Sequence, residues 1–249
     1  MLTKAPHEIE RIRKACRIVA EVLQLMRQEA RPGVTTAHLD VQAERYIRDS
    51  GGRPAFKGYQ GFPRTLCTSV NDRIVHGIPN ETVLKDGDLL SVDVGVIWDG
   101  YYGDAAVTLL LGEVSGAHRR LAEVAEQSLY RGIAQALPGK RVGDIGHAVQ
   151  SHVEMNGFAV VRDFVGHGVG RELHEAPQLP HFGKPGEGMA LRAGMVLAIE
   201  PMVNEFSPQV RTLSDHWTAV TVDGGYSAHF EHTVLVGAEG PEILTRMGD

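Results

Sequence analysis

Apolar positions at Ile9, Ile12, Cys16, Val19, Leu23 and Met26 recur at steps of three and four, which predicts an amphipathic helix ended by Pro32-Gly33. Leu39, Ala43, Tyr46 and Ile47 form the inner stripe of a second helix, stopped at Gly51-Gly52. Cys16 lies on the first stripe and reads as a small buried hydrophobe. The period then changes. In "SVDVGVIWDGYYGDAAV" (91–107), Val92, Val94 and Val96 alternate with smaller or polar residues, and Asp99-Gly100 marks a two-residue turn. This predicts a β-hairpin, yet it holds Asp93 and Asp104 within its strands, where Asp is disfavoured.

The same pattern occurs twice. Pro32-Gly33 matches Pro138-Gly139 at a shift of 106, which also places Leu39, Ala43 and Gly51 on Ile145, Val149 and Gly157. "LKDGDLLSVD" (84–93) matches "LRAGMVLAIE" (191–200) at a shift of 107, and "HGIP" (76–79) is similar to "HEAP" (174–177). The order predicts an internal duplication, residues 8–110 and 114–236, of an α+β unit. The expected architecture is two halves about a pseudo-twofold axis sharing one antiparallel sheet, with Asp93 and Glu200 as counterparts. No linker-like stretch divides the chain, so residues 1–249 are expected to form a single domain with its site at the junction.

Turn parity places the acids. With Asp99-Gly100 central, Gly95 lies opposite Asp104 and Asp93 opposite Ala106, so both acids share one face as diagonal neighbours about 7–8 Å apart at the backbone. Gly95 is expected to leave space beside Asp104. Buried carboxylates need a shared proton, a basic neighbour or a metal, and the hairpin carries no Lys or Arg. Glu200 ends the apolar "MVLAIE", Glu231 interrupts "AHFEHTVLV", and His167 sits in "GHGVG". A set of four carboxylates and one imidazole suits Mn²⁺, Fe²⁺ or Co²⁺, with zinc a further candidate and a Cys-type structural zinc excluded. It carries enough charge for two ions about 3.5–4 Å apart that activate a water for hydrolysis. Spacing alone leaves this level with separately ion-paired or strand-end acids.

Composition narrows the class. The 249 residues are 43% hydrophobic and 22% charged with net charge −6, which fits a globular enzyme and argues against a general nucleic-acid binder. Two cysteines, Cys16 and Cys67, are too few for a disulfide framework. Charges from Lys4 to Lys14 interrupt any signal-peptide core, so a cytoplasmic location is expected. "GHGVG" is neither GxGxxG nor a Walker A loop, "HEAPQ" lacks the second His of HExxH, and no GxSxG is present.

"VNDRIVHGIP", "SVDVGVIWDGYYGDAA", "GHGVGRELHEAP", "AIEPMV" and "EHTVLV", in this order and spacing, resemble the type I methionine aminopeptidases of the pita-bread fold. The resemblance runs from the first helix nearly to the end. It implies removal of N-terminal methionine, preferentially before a small second residue, by two-metal hydrolysis. It makes Asp93, Asp104, His167, Glu200 and Glu231 the metal ligands, with Asp104 and Glu231 bridging. His76 and His174 match the family's substrate-contacting histidines, and Glu200 its candidate proton shuttle. Without the resemblance, either histidine reads more simply as a satisfied core or surface residue. Phe56, Tyr59, Phe62, Cys67, Leu173, Met202 and Trp217 match the methionine pocket, each otherwise open to a plain packing role.

Phe56 and Leu173 depart from the commoner pattern, Cys and Phe respectively, and so leave substrate breadth open. His229 stands in place of a Gln, expected just outside the ligand set. The implied partners are Met-initiated peptides and nascent chains, with ribosome association a further prospect; a monomer is expected, with no membrane or nucleic-acid partner. Two rivals remain, a proline-specific aminopeptidase of the same fold and a non-catalytic pita-bread binding protein. The former normally has an additional N-terminal domain, and the latter is expected to lose ligands. A type II enzyme is disfavoured because the 30 residues between Glu200 and Glu231 leave no room for its helical insertion, and the lack of a zinc-finger extension points to the short bacterial form.

Overall fold

The computed structural model describes residues 2–246. Four helices, α1 (Pro6–Glu29), α2 (Thr36–Asp49), α3 (Gly116–Ile133) and α4 (Val142–Met155), cover the outside of antiparallel sheets. Each helix begins where the sequence supplies a start. Pro6 opens α1 and the Glu8 carboxylate returns to the Ala5 N–H (2.8 Å), while the Thr35 hydroxyl caps α2 by accepting from the His38 N–H. The α1 stripe from Ile12 to Met26 is buried against the hairpin and Ile9 is half-buried at its edge. Cys16 is fully enclosed, as its place on the stripe predicts.

The hairpin pairs Leu89–Trp98 with Tyr101–Leu110 over ten rungs, including Asp93 with Ala106 and Gly95 with Asp104. Asp99 and Gly100 both have positive φ (47° and 78°), the conformation a two-residue type I′ turn needs. The register therefore follows the turn, and both acids face inward together. Leu66–Val70 adds to the other edge of the first strand and sets Cys67 opposite Asp93. One expectation changes. A Cβ on Gly95 would lie 2.6 Å from the Phe56 ring and 2.9 Å from Ala55 Cβ, so the room that Gly95 leaves is taken by Phe56 rather than kept open beside Asp104.

The second half builds a five-stranded antiparallel sheet in the order Pro241–Ile243, His232–Val236, Val196–Ile199, Gly166–Gly168, Glu175–Leu179. The two sheets are stitched at the centre. Ala106 and Glu231 exchange both backbone hydrogen bonds (2.9 and 3.4 Å), and the Thr233 hydroxyl bridges the Asp104 N–H and carbonyl. This seam joins the sheets of the two halves, as the repeated order in the sequence predicts.

The duplication is visible in the backbone itself. α2 and α4 each span 14 residues. The bridge Thr35–Val83 recurs as Arg141–Ala190, and the Gly33 N–H to Leu84 carbonyl bond recurs as Gly139 to Leu191 (2.8 and 3.0 Å). The copies differ at the centre, because Asp93 lies mid-strand whereas Glu200 falls just past Val196–Ile199.

Candidate metal centre and active site

The seam gathers acids from both halves. Asp93 and Asp104 come from the hairpin, His167 from the short strand Gly166–Gly168, Glu200 from the end of Val196–Ile199, and Glu231 from the turn entering His232–Val236. Single ligand atoms of Asp104, His167 and Glu231 lie within 4.8 Å of one another, as do those of Glu200, His229 and Glu231. Glu231 is common to both groups. Asp93 faces Asp104 closely enough for their carboxyls to hydrogen-bond.

The electrostatics of this cluster are unresolved by the chain's own residues. Among the described residues, no Lys or Arg forms an ion pair with any of the four carboxylates. Asp93 Oδ1, Asp104 Oδ1, Glu231 Oε1 and His229 Nε2 are buried without a hydrogen-bond partner. Burial pushes all four carboxyls well up from their usual range, and mutual repulsion adds to it for Asp104, Glu200 and Glu231. His167 is driven down to about 4 by burial, with the neighbouring His174 adding to the effect. Its Nδ1 donates to the Gly168 carbonyl (2.9 Å), which leaves Nε2 as a free lone pair 3.3 Å from Glu200 Oε1. Unpartnered carboxylate oxygens beside a neutral imidazole are a donor set for a hard divalent cation. The residues fit a metal.

Around the acids, one cavity is lined by every residue expected from the sequence: Phe56, Tyr59, Phe62, Cys67, His76, Asp93, Asp104, His167, Leu173, His174, Glu200, Met202, Trp217 and Glu231. The apolar members form two walls. Phe56, Phe62, Cys67 and Leu173 pack as one cluster with Tyr59 and Trp217 against it, whereas Met202 belongs to a second cluster with Ile74, Val75 and Val161. Phe62 and Trp217 meet edge to face at 5.1 Å. Burial raises the Cys67 thiol well above its ordinary range, so Cys67 is an inert wall.

The two histidines come from corresponding segments of the two halves and both line the cavity. His76 has a positive φ of 59°, a strained backbone for a non-glycine residue, and stands edge-on to Phe164 at 5.2 Å. Burial brings it down to about 4 and His174 contributes. His174 Nδ1 is 2.7 Å from the Tyr59 hydroxyl, and its ring meets that of His167 at 4.3 Å. Both are neutral near pH 7 and able to donate through one ring nitrogen.

Sequence reasoning missed Gln60, Val75, Phe164 and Val165 on the cavity wall; of these only Val75 stands in a quoted motif, where it reads as an ordinary apolar strand residue. It also missed His181, which is fully buried beneath the cradle and whose Nε2 accepts the Glu200 N–H at 3.0 Å. No periodicity marks such a residue. His229, expected near the ligands, lies with Nε2 3.8 Å from Glu200 Oε2 and offers a second imidazole donor atom.

The description metallopeptidase family M24 matches residues 10–238. Methionine aminopeptidase 1 of Bacillus subtilis is 51% identical over 247 residues, 99% of this chain and all of that one. The chain belongs to the methionine aminopeptidases of metallopeptidase family M24. A methionine aminopeptidase from Clostridium perfringens is 50% identical over 98% of each chain. The crystal structure of the Thermotoga maritima methionine aminopeptidase superposes with a TM-score of 0.98 at 48% identity, covering 99% of this chain and 100% of that one. A prolidase from Pyrococcus furiosus shares the fold at a TM-score of 0.79 and 24% identity, and this chain spans 66% of it. Membership makes this a divalent-metal peptidase, in keeping with the donor set above. No helix among the described residues is long and apolar enough to cross a membrane.

Proposed function

We propose that the chain removes N-terminal methionine from peptides and nascent proteins, preferentially before a small second residue, with two divalent ions held by Asp93, Asp104, His167, Glu200 and Glu231. The observation that carries this is the single cavity in which unpartnered acid oxygens meet an apolar wall and two neutral histidines. Mn²⁺, Fe²⁺ and Co²⁺ suit the oxygen-rich set, with zinc less favoured. When bound, such ions acidify a water and polarise the scissile carbonyl.

The chain's own groups do the rest in this reading. Phe56, Tyr59, Phe62, Cys67, Leu173, Met202 and Trp217 enclose the methionine side chain and exclude water. His174 donates toward the oxygen on which charge develops, and His76 stands near the scissile amide nitrogen. Glu200, at the end of the strand Val196–Ile199, takes the water's proton and passes it to the leaving amine. Ligands come from both halves, so the chain acts as one catalytic domain. Acting on nascent chains, it works in the cytoplasm, where its unpaired Cys16 and Cys67 stay reduced.

Purified protein loaded with Mn²⁺ or Co²⁺ is expected to release Met from Met-Ala-Ser and to leave Met-Lys-Ser and N-acetylated Met-Ala-Ser intact. Release from the acetylated peptide would show that a free α-amine is not required and overturn the reading. Cleavage confined to substrates with proline second would favour the proline-specific alternative.

A further inference from the structure

Residues 170–174 carry Leu173 and His174 to the cavity without any helix or strand to hold them. What fixes this turn is the carboxylate of Glu175. Its Oε1 accepts the N–H of Arg171 (2.7 Å) and of Glu172 (3.3 Å), and its Oε2 accepts from Lys4 Nζ at 2.6 Å. The side chains of Lys4 and Glu175 are 4% and 15% exposed, and 171 positions separate them in sequence. Lys4 is itself pinned, since its N–H donates to the Gly194 carbonyl at 2.8 Å.

The third glycine of "GHGVG" makes this contact possible. A Cβ on Gly170 would lie 2.2 Å from Lys4 Cε and 2.8 Å from Glu175 Oε1, so a larger residue there would push the two side-chain ends apart. Neither the metal cradle nor the methionine wall accounts for that glycine.

We infer that the buried Lys4–Glu175 ion pair is the positioning device for His174, holding its turn so that the imidazole meets Tyr59 and faces the acid cradle. The inference rests on the reading of His174 as a substrate-contacting group. Lys4 does not line the cavity and acts only through the turn. A carboxylate that accepts two successive N–H groups locks the backbone just before His174, and the buried lysine offsets its charge. The Tyr59 hydroxyl then orients the ring from the cavity side. The first half needs no such clamp. Its matching residue, Gly77, is tied directly to the strand Leu66–Val70 through Ser69 Oγ (3.2 Å) and the Thr68 N–H (2.7 Å). Of the turn's other tethers, the Tyr102 N–H to the Gly170 carbonyl (2.8 Å) holds only its first residue, and Arg171 to Glu8 joins a side chain that is 68% exposed and contributes little.

The test makes Lys4→Met and Glu175→Gln, each alone and with His174→Ala, and measures metal-loaded turnover of Met-Ala-Ser, amide hydrogen exchange over residues 168–176, and melting. Lys4→Met is expected to lower kcat roughly 10- to 100-fold with KM little changed, as a misplaced group does. Arg171 and Glu172 are expected to lose exchange protection, which is read without any metal. In the His174→Ala background Lys4→Met is expected to cause no further fall in kcat. Glu175→Gln keeps an oxygen for the two amides and is expected to lose less, while Arg171→Ala stays within about twofold of the parent. A Lys4→Met protein that turns over at the parental rate overturns the inference, as does an effect that multiplies undiminished with His174→Ala. His174→Ala at the parental rate overturns the reading of His174 itself and the inference with it.

Discussion

Glu175, half-buried, and Glu231, buried, are carboxylates of the second half whose surroundings push them in opposite directions. Burial raises Glu175, but the Lys4 hydrogen bond and charge, with the Arg171 and Glu172 amides, hold it below the usual carboxylate range. Glu231 has Oε1 unpartnered, and burial with Glu200 and Asp93 nearby drives it far above that range. Burial raises both, more fully at Glu231, and only Glu175 has a cation and amides to offset it. At the turn the chain supplies its own cation. At the seam it supplies acids and neutral imidazoles but no Lys or Arg partner, a setting in which a bound divalent ion would supply the compensating charge. An acid clamp and a metal cradle are thus distinguished by what surrounds the carboxylate rather than by the acid itself.

The strongest way to break this comparison is Asp104→Asn. It is expected to reduce metal-dependent turnover by roughly 10³-fold or more, as loss of a central catalytic group does. Because it also removes one uncompensated acid, the metal-free protein is expected to melt no lower than the parent. Turnover near the parental rate would remove Asp104 from the cradle.

Next in size is the pH dependence of the metal-free protein. Asp104, Glu200 and Glu231 have raised values in the folded state, so between about pH 4 and their raised values the folded chain binds more protons than the unfolded one. Their contribution is fully present below about pH 4 and is lost as pH rises. Glu175, held low, contributes above about pH 4 and is lost as pH falls through its lowered value. Buried His76, His167, His181 and His229, held low, oppose this below about pH 6.5, so melting in EDTA is expected to weaken only as pH rises from about 6.5. Mn²⁺ at about 1,000 times its Kd is expected to add ~4 kcal/mol near pH 7. A metal-free protein that gains stability steadily through neutral pH would contradict the cradle assignment.

The smallest effect concerns the wall next to the cradle. Gly95→Ala would press a methyl into the Phe56 ring and is expected to cost about 1–3 kcal/mol by urea unfolding. Phe56→Leu in the same chain is expected to return part of it. No loss in the single variant would mean that Phe56 is free to move, and with it the pocket mouth.

Much of this was legible in residue order because it rests on local rules. Helices α1 and α2 follow their apolar stripes, and the hairpin register follows from a two-residue turn whose parity sets which side chains share a face. Asp93, Asp104, Glu200 and Glu231 stood out because an acid in an apolar strand violates the pattern around it. His181 did not stand out, since a lone histidine in a loop breaks no rule, and only the packed sheet shows it accepting the Glu200 N–H. Gly95 was legible as a gap but not as a filled one, because Phe56 reaches it from a separate segment, residues 53–56, paired only briefly with the hairpin.

By itself the sequence determined helices α1 and α2, the hairpin register, the repeated order of the halves and the misplaced acids, since periodicity, turn chemistry and misplaced charge are all written in local order. His76 and His174, by contrast, were singled out only by the family resemblance. The tertiary structure alone decided how the halves are stitched at Ala106 and Glu231, which oxygens are left without partners, and that Lys4 meets Glu175 across 171 positions. Those outcomes depend on contacts between segments far apart in the chain, whose geometry is set only when both halves close on the shared seam.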